Sequence, residues 1–395
     1  MAKKARTPEE HTIDPAAQEM LIRANELKIG TAFSRADKMS PCNIGSAGMC
    51  CKLCGMGPCR LTKEGDTGVC GATIDTIQAR NLIRAIAAGA AAHSDHGRDM
   101  AFTLKAVANG QTEGYRIRDV AKLRVVATRY GIDIEGRAPE EIANELADLY
   151  IAQFGQQKGE VVVINNAPEK RLKLWRDLNV VPRGIDREVV EALHRTHIGD
   201  DQDHEHILNH AVRTALADGW GGSMIATDIS DILFGTPAPI LGEANLGVLK
   251  DDIVNVVVHG HEPTLSQMIV AASQDPEIIA YAREAGSEGV NLTGICCTAN
   301  EILMRQGIPA AGNFLHQELS ILTGSVEAMV VDVQCVMQAL VGLAENFHTK
   351  IITTSPKVKI KGATHIEFDE HHALTIAKKI LKEAIDNYKY RGKTK

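Results

Sequence analysis

Between Cys42 and Cys70 the chain places six cysteines in 29 residues, Cys42, Cys50, Cys51, Cys54, Cys59 and Cys70, spaced C-x7-C-C-x2-C-x4-C-x10-C. Soft thiolates select zinc, copper(I) or iron–sulfur clusters, and four of them complete either a tetrahedral zinc site or a cubane cluster. Six exceed one site. Zinc knuckles usually pair two C-x2-C units across a longer spacer, whereas here a single C-x2-C is followed by gaps of four and ten. Glycines at 45, 48, 55, 57, 65 and 68 let backbone N–H groups approach sulfur closely, as clusters require. The spacing therefore favours iron–sulfur chemistry over zinc, with inert structural thiols as a third reading. It partitions into Cys51, Cys54, Cys59 and Cys70 for one cubane, and leaves Cys42 and Cys50 as half a set. A cluster on a two-fold axis takes half its ligands from each of two copies, so the half set points to a homodimer.

The rest of the composition narrows the context. The 395 residues are 44% apolar and 24% charged, enough for a sizeable core and two or three domains. No apolar run is long enough for a membrane span, and the start "MAKKARTPEEHTIDP" has no signal-peptide core, so a cytoplasmic location is expected. In that reducing setting nine cysteines read as thiols or metal ligands rather than disulfides. A formal charge of -7 and only 4% aromatic residues argue against nucleic acid as a partner.

Along the chain, residues 14–29 read as a helix capped by Asp14, with Pro15 in its first turn. The Ala-rich stretch 73–108 favours further helix, packed through Gly89 and the alanines, and 3.6-residue patterning continues to about residue 235. Prolines and glycines in "FGTPAPILGEANLGVL" then mark a boundary. Beyond it the apolar runs "VNVVVHGH", "VNLTGICC", "AMVVDVQC" and "KIITTS" alternate with helical patterns at 264–285, 298–306 and 337–347. The expectation is a mixed α and α/β protein: a mainly helical domain over 1–235 carrying the cysteine loop, then a Rossmann-like parallel sheet over 236–395.

Three more candidate ligands share a structural address. His261, Cys297 with its neighbour Cys296, and Cys335 each end a predicted strand, where open α/β sheets gather ligands. Singly each reads as a buried small thiol or a loop histidine; together they point to a mixed His/Cys metal site. His93 and His96 lie one turn apart on a helix, equally readable as a proton shuttle or as two polar residues.

Taken in order, "PCNIGSAGMCCKLCGMGPCR", "GVCGA", "AAGAAAHSDH", "DILFGTPAPILGEANLGVL", "VHGHEP", "GICCTANEILMRQGIPA" and "VDVQC" resemble the catalytic subunit of anaerobic nickel–iron carbon monoxide dehydrogenase, over about residues 12–390. Hybrid-cluster proteins share that architecture more loosely. The resemblance implies a [4Fe-4S] cluster on Cys51, Cys54, Cys59 and Cys70, and an inter-subunit cluster on Cys42 and Cys50. It also implies a Ni-4Fe-4S-type active-site cluster on His261, Cys297 and Cys335, with His93 as acid/base. The implied reaction oxidises carbon monoxide with water to carbon dioxide, passing electrons to a ferredoxin-type acceptor, with an acetyl-CoA synthase as a further partner. Family members run on into another α/β domain that supplies more cysteine ligands and a catalytic lysine. The chain is thus expected to be a fragment or to be completed by another polypeptide, and the alternative is a catalytically incomplete electron-transfer or scaffold protein. Asp99 and Phe102 stand where the family often continues its histidine row.

Overall fold

The computed structural model describes residues 5–392 and divides into two compact units. One comprises Ser40–Gly110 and Ile117–Leu233 and is helical. The other comprises the chain up to Met39, Gln111–Arg116 and the chain from Phe234, and contains the sheet.

In the helical unit, the cysteine loop forms a two-residue ribbon, β1 (Cys50–Cys51) antiparallel to β2 (Cys59–Arg60). It leads into one uninterrupted helix of 35 residues, Ile74–Ala108, started by Thr73 accepting the Thr76 N–H. Gly89 is not the packing point expected from sequence, since a Cβ there would meet nothing. The close approach is at Gly97, where a Cβ would lie 2.5 Å from the Gly222 carbonyl oxygen. Ala79, Ile83 and Ala87 of the same helix bury against Ala192, Ile207 and Ala211. Gln78 and Asn81 donate to the carbonyls of Ala47, Gly48 and Cys50 and so hold the cysteine loop onto the helix.

In the sheet unit, six strands are all parallel: β3 (Val254–Gly260), β4 (Val290–Ile295), β5 (Ala310–Gly312), β6 (Val326–Val331), β7 (Lys350–Thr353) and β8 (Thr364–His365). Their order is β5-β4-β3-β6-β7-β8, a doubly wound, Rossmann-like arrangement whose direction reverses between β3 and β6. Every residue of β3 and β6 is buried, which is why both read as continuous apolar runs. The helical pattern at 264–285 is two helices, Pro263–Ser273 and Pro276–Glu284, because Pro276 cannot continue the first.

The N-terminal helices belong with this sheet, not with the helical unit as the sequence reading has it. Ala17, Leu21 and Ala24 of helix Pro15–Glu26 share a core with Val257, Leu319 and Val331. Arg35 pairs with the fully buried Glu318, which also accepts the Ala32 N–H. The side-chain pattern of a helix shows that it buries a face but not against what.

Candidate metal centres

Cys51, Cys54, Cys59 and Cys70 line one cavity of about 160 Å³, walled by Leu53, Val69, Ala72, Ile77 and Ile198. The spacing grouped these four, and the fold brings them together. The Val69 N–H points to the Cys59 Sγ at 3.4 Å, and a Cβ on Gly68 would stand 3.5 Å from the same sulfur. Gly57 is pressed between the Cys51 carbonyl and the Cys59 N–H, both 3.2 Å from its would-be Cβ. All nine cysteines are free thiols. Four thiols around an apolar chamber, with backbone N–H groups drawn up to sulfur, suit a cluster whose anionic sulfurs need donors and exclusion of water. The Ala72 N–H above all, with a lesser contribution from Arg80, holds the Cys70 thiol below its ordinary range against the opposing effect of burial.

Cys42 and Cys50 stand apart from that cavity's lining. Cys42 is exposed at the N-cap of the short helix Asn43–Ser46, where the Gly45 and Ile44 N–H groups lower its thiol. Cys50 is half-buried in β1.

At the carboxyl edge of the sheet the second set gathers where the strand order reverses. His261 follows β3 directly, Cys296 and Cys297 open the helix Cys296–Gln306 after β4, and Gly260 bridges to Cys296. Cys335 lies four residues past β6, on a loop where Gln334 and Cys335 both take left-handed φ, 65° and 56°. Burial first, then the neighbouring Cys335 and Cys297 sulfurs, push the Cys296 thiol up to about 12. Burial and Cys335 likewise raise Cys297. The three sulfurs therefore share one neighbourhood, and burial keeps Cys296 and Cys297 protonated until a metal displaces their protons. Among the described residues no group of three or more His, Cys, Asp or Glu is arranged to hold a metal ion.

Three residues that the sequence reading passed over shape this edge. Asp332, at the end of β6, is fully buried and accepts the His261 N–H at 2.6 Å, the Val333 N–H, and the Thr298 hydroxyl at 3.3 Å. Burial raises its carboxyl to about 7 against the lowering effect of those N–H groups. Gln317 donates to the Cys335 carbonyl at 3.1 Å and accepts the Met337 N–H at 3.0 Å, bracing the strained loop from both sides. His259 Nε2 stands 3.1 Å from the same carbonyl, and burial lowers its pKa so that it stays neutral. The available signal was a histidine and an asparagine inside the otherwise apolar run of β3.

His93, on the long helix of the helical unit, is held through Nδ1 by Asp218 Oδ1 at 2.7 Å, and Asp218 also accepts from Ser223. Asp218 opens a π-helical turn, Asp218–Gly222, seated on the long helix because Gly222 has no side chain: a Cβ there would meet the His93 carbonyl at 2.8 Å. Asp218 too was missed, its signal being the helix-breaking "DGWGG". His96 is buried and Phe102 half-exposed on the same helix.

A model of the Prismane/CO dehydrogenase family matches residues 49–395. Carbon monoxide dehydrogenase 1 of Methanosarcina mazei is 53% identical over 99% of this chain and 63% of its own length. Carbon monoxide dehydrogenase 1 of Carboxydothermus hydrogenoformans is 47% identical over 98% and 61%. The solved structure of as-isolated, nickel-free carbon monoxide dehydrogenase from Thermococcus sp. AM4 superimposes with a TM-score of 0.96 at 49% identity, covering 100% of this chain and 63% of that one. The chain therefore spans less than two thirds of the length of these relatives. Fold and sequence agree along its whole length, and it belongs to the Prismane/CO dehydrogenase family.

Proposed function

We propose that this chain forms the cluster-binding part of an anaerobic carbon monoxide dehydrogenase, which oxidises carbon monoxide with water to carbon dioxide and releases two protons and two electrons. The observation that carries the reading is the neighbourhood of the Cys296, Cys297 and Cys335 sulfurs at the switch point of the sheet, where the backbone bridge from Gly260 to Cys296 brings the residue before His261 to the same edge. In this reading His261, Cys297 and Cys335 hold a nickel–iron–sulfur cluster, with Cys296 beside it. Cys51, Cys54, Cys59 and Cys70 hold a [4Fe-4S] cluster, and Cys42 and Cys50 give half of one shared across a homodimer. A bound nickel–iron–sulfur group supplies Lewis-acid activation of water and redox capacity.

The chain's own residues supply positioning and proton handling. Asp332 fixes the backbone at His261, while Gln317 and His259 fix the carbonyl of Cys335. Asp218 accepts from Nδ1 and so fixes the His93 tautomer that leaves Nε2 as a base to take a proton and pass it on. A ferredoxin-type protein is the proposed acceptor and the cytoplasm the proposed location. Among the described residues no helix is long and apolar enough to cross a membrane. An acetyl-CoA synthase is a further proposed partner, since a similar protein from Moorella thermoacetica is named as subunit beta of a carbon monoxide dehydrogenase/acetyl-CoA synthase.

The test is reduction of a low-potential dye by carbon monoxide, run anaerobically on protein loaded with iron, sulfide and nickel, with and without the remaining length of a relative supplied as a second polypeptide. The reading expects activity in the completed protein and its loss in His261→Ala. Activity that survives His261→Ala, or a completed protein that takes up nickel without reacting with carbon monoxide, would count against it.

A further inference from the structure

Arg80 is 1% exposed, one of the largest fully buried side chains in the protein. It lines the same cavity as Cys51, Cys54, Cys59 and Cys70. Its Nη2 is committed to the Asp201 carbonyl at 3.0 Å and the Gln202 Oε1 at 2.9 Å, both neutral acceptors. The loop at 197–199 closes over it, and a Cβ on Gly199 would stand 3.0 Å from that Nη2. The Nε–H is buried with no partner, and no carboxylate pairs with the guanidinium among the described residues. Of the chamber groups it already meets the Cys70 sulfur, and a buried cation whose other partners are neutral is costly unless an anion completes its surroundings.

The anion is supplied by the neighbouring centre. A cubane held by four thiolates carries net negative charge, and reduction adds one more electron to it. Charge and hydrogen bonds at the sulfurs set the potential of such clusters. We propose that Arg80 is the fixed positive charge of the Cys51/Cys54/Cys59/Cys70 centre, donating its Nε–H to a sulfur there and raising the centre's reduction potential. Since a reduced cluster gains more from this contact than an oxidised one, Arg80 makes the centre easier to reduce than its thiolates alone would. The inference rests on the cluster reading of that cavity, and the experiment separates the two.

The whole chain is loaded anaerobically with iron and sulfide, as wild type, Arg80→Gln and Arg80→Lys. Each protein is analysed for iron and acid-labile sulfide and titrated potentiometrically with detection by electron paramagnetic resonance. Arg80 acts through the cluster, so the potential is the readout that a merely structural role would not move. The expectation is that Arg80→Gln keeps its iron and that one signal becomes at least tenfold harder to reduce, a shift of about 59 mV to lower potential. Arg80→Lys, which keeps the charge but loses the fixed N–H, falls between the two. Unchanged potentials in both variants at full iron content would overturn the assignment. So would folded variants that both lose the cluster, which would make Arg80 a requirement for assembly. A wild-type chain without iron and sulfide would instead overturn the cluster reading, and the assignment with it.

Discussion

At Gly260 the backbone turns with φ of +140° against the Asp332 carboxylate, and a Cβ would fall 1.8 Å from Oδ1. No side chain fits there unless Asp332 moves. Gly260→Ala is therefore expected to release the His261 N–H from Asp332 and to cost about 1–3 kcal/mol through overpacking and backbone strain. Urea denaturation checks the stability, and nickel uptake by the loaded protein checks the site. Glu188 is fully buried, and although burial alone would raise it, His210 and Arg183 bring its carboxyl down to about 2. A carboxyl depressed in the folded state gives stability that is complete above its unfolded value near 4.5 and fades as pH falls toward 2. The contribution is on the order of 3 kcal/mol. Unfolding of the helical unit followed from pH 6 to pH 2.5 should show that loss in wild type and a flatter acid limb in Glu188→Gln, which is also less stable at neutral pH.

At the scale of elements, the long helix and the π-helical turn meet through two glycines, Gly97 and Gly222, and that contact is what sets Asp218 on His93. Gly97→Ala pushes a methyl into the Gly222 carbonyl. It is expected to destabilise by about 1–3 kcal/mol, in spite of alanine's better helix propensity. Activity of the completed protein should fall further than global stability does, because the His93–Asp218 pair is misaligned. Equal activity at reduced stability would separate the turn from the chemistry. The sequence made the apolar strands β3, β4, β6 and β7 legible because both faces are buried along all of β3 and β6 and most of β4 and β7. Strands β5 and β8 were not legible: three and two residues long, at the edges, they carry no period to read. The candidate ligands at the strand ends, His261, Cys297 and Cys335, could be picked out as well, since cysteine and histidine advertise their chemistry. Asp332 and Gln317 could not, since a carboxylate or amide becomes a positioning group only through its distant partners.

At the scale of the molecule, the six cysteines of the loop fall into two structural classes. Four line a chamber inside the helical unit, while Cys42 is exposed and Cys50 half-buried outside its lining. Cys42→Ser/Cys50→Ser is expected to weaken dimerisation by sedimentation while sparing the chamber, and a monomer with undiminished iron would refute the shared cluster. Whether the cysteine loop holds two distinct clusters is decided by iron and acid-labile sulfide per chain, with Mössbauer spectra, in anaerobically loaded wild type, Cys54→Ser and Cys42→Ser/Cys50→Ser. Cubane-type iron with matching sulfide is expected, of which Cys54→Ser loses one component and the double variant a different one. Stoichiometric zinc without sulfide, or loss of the same component in both variants, would contradict it.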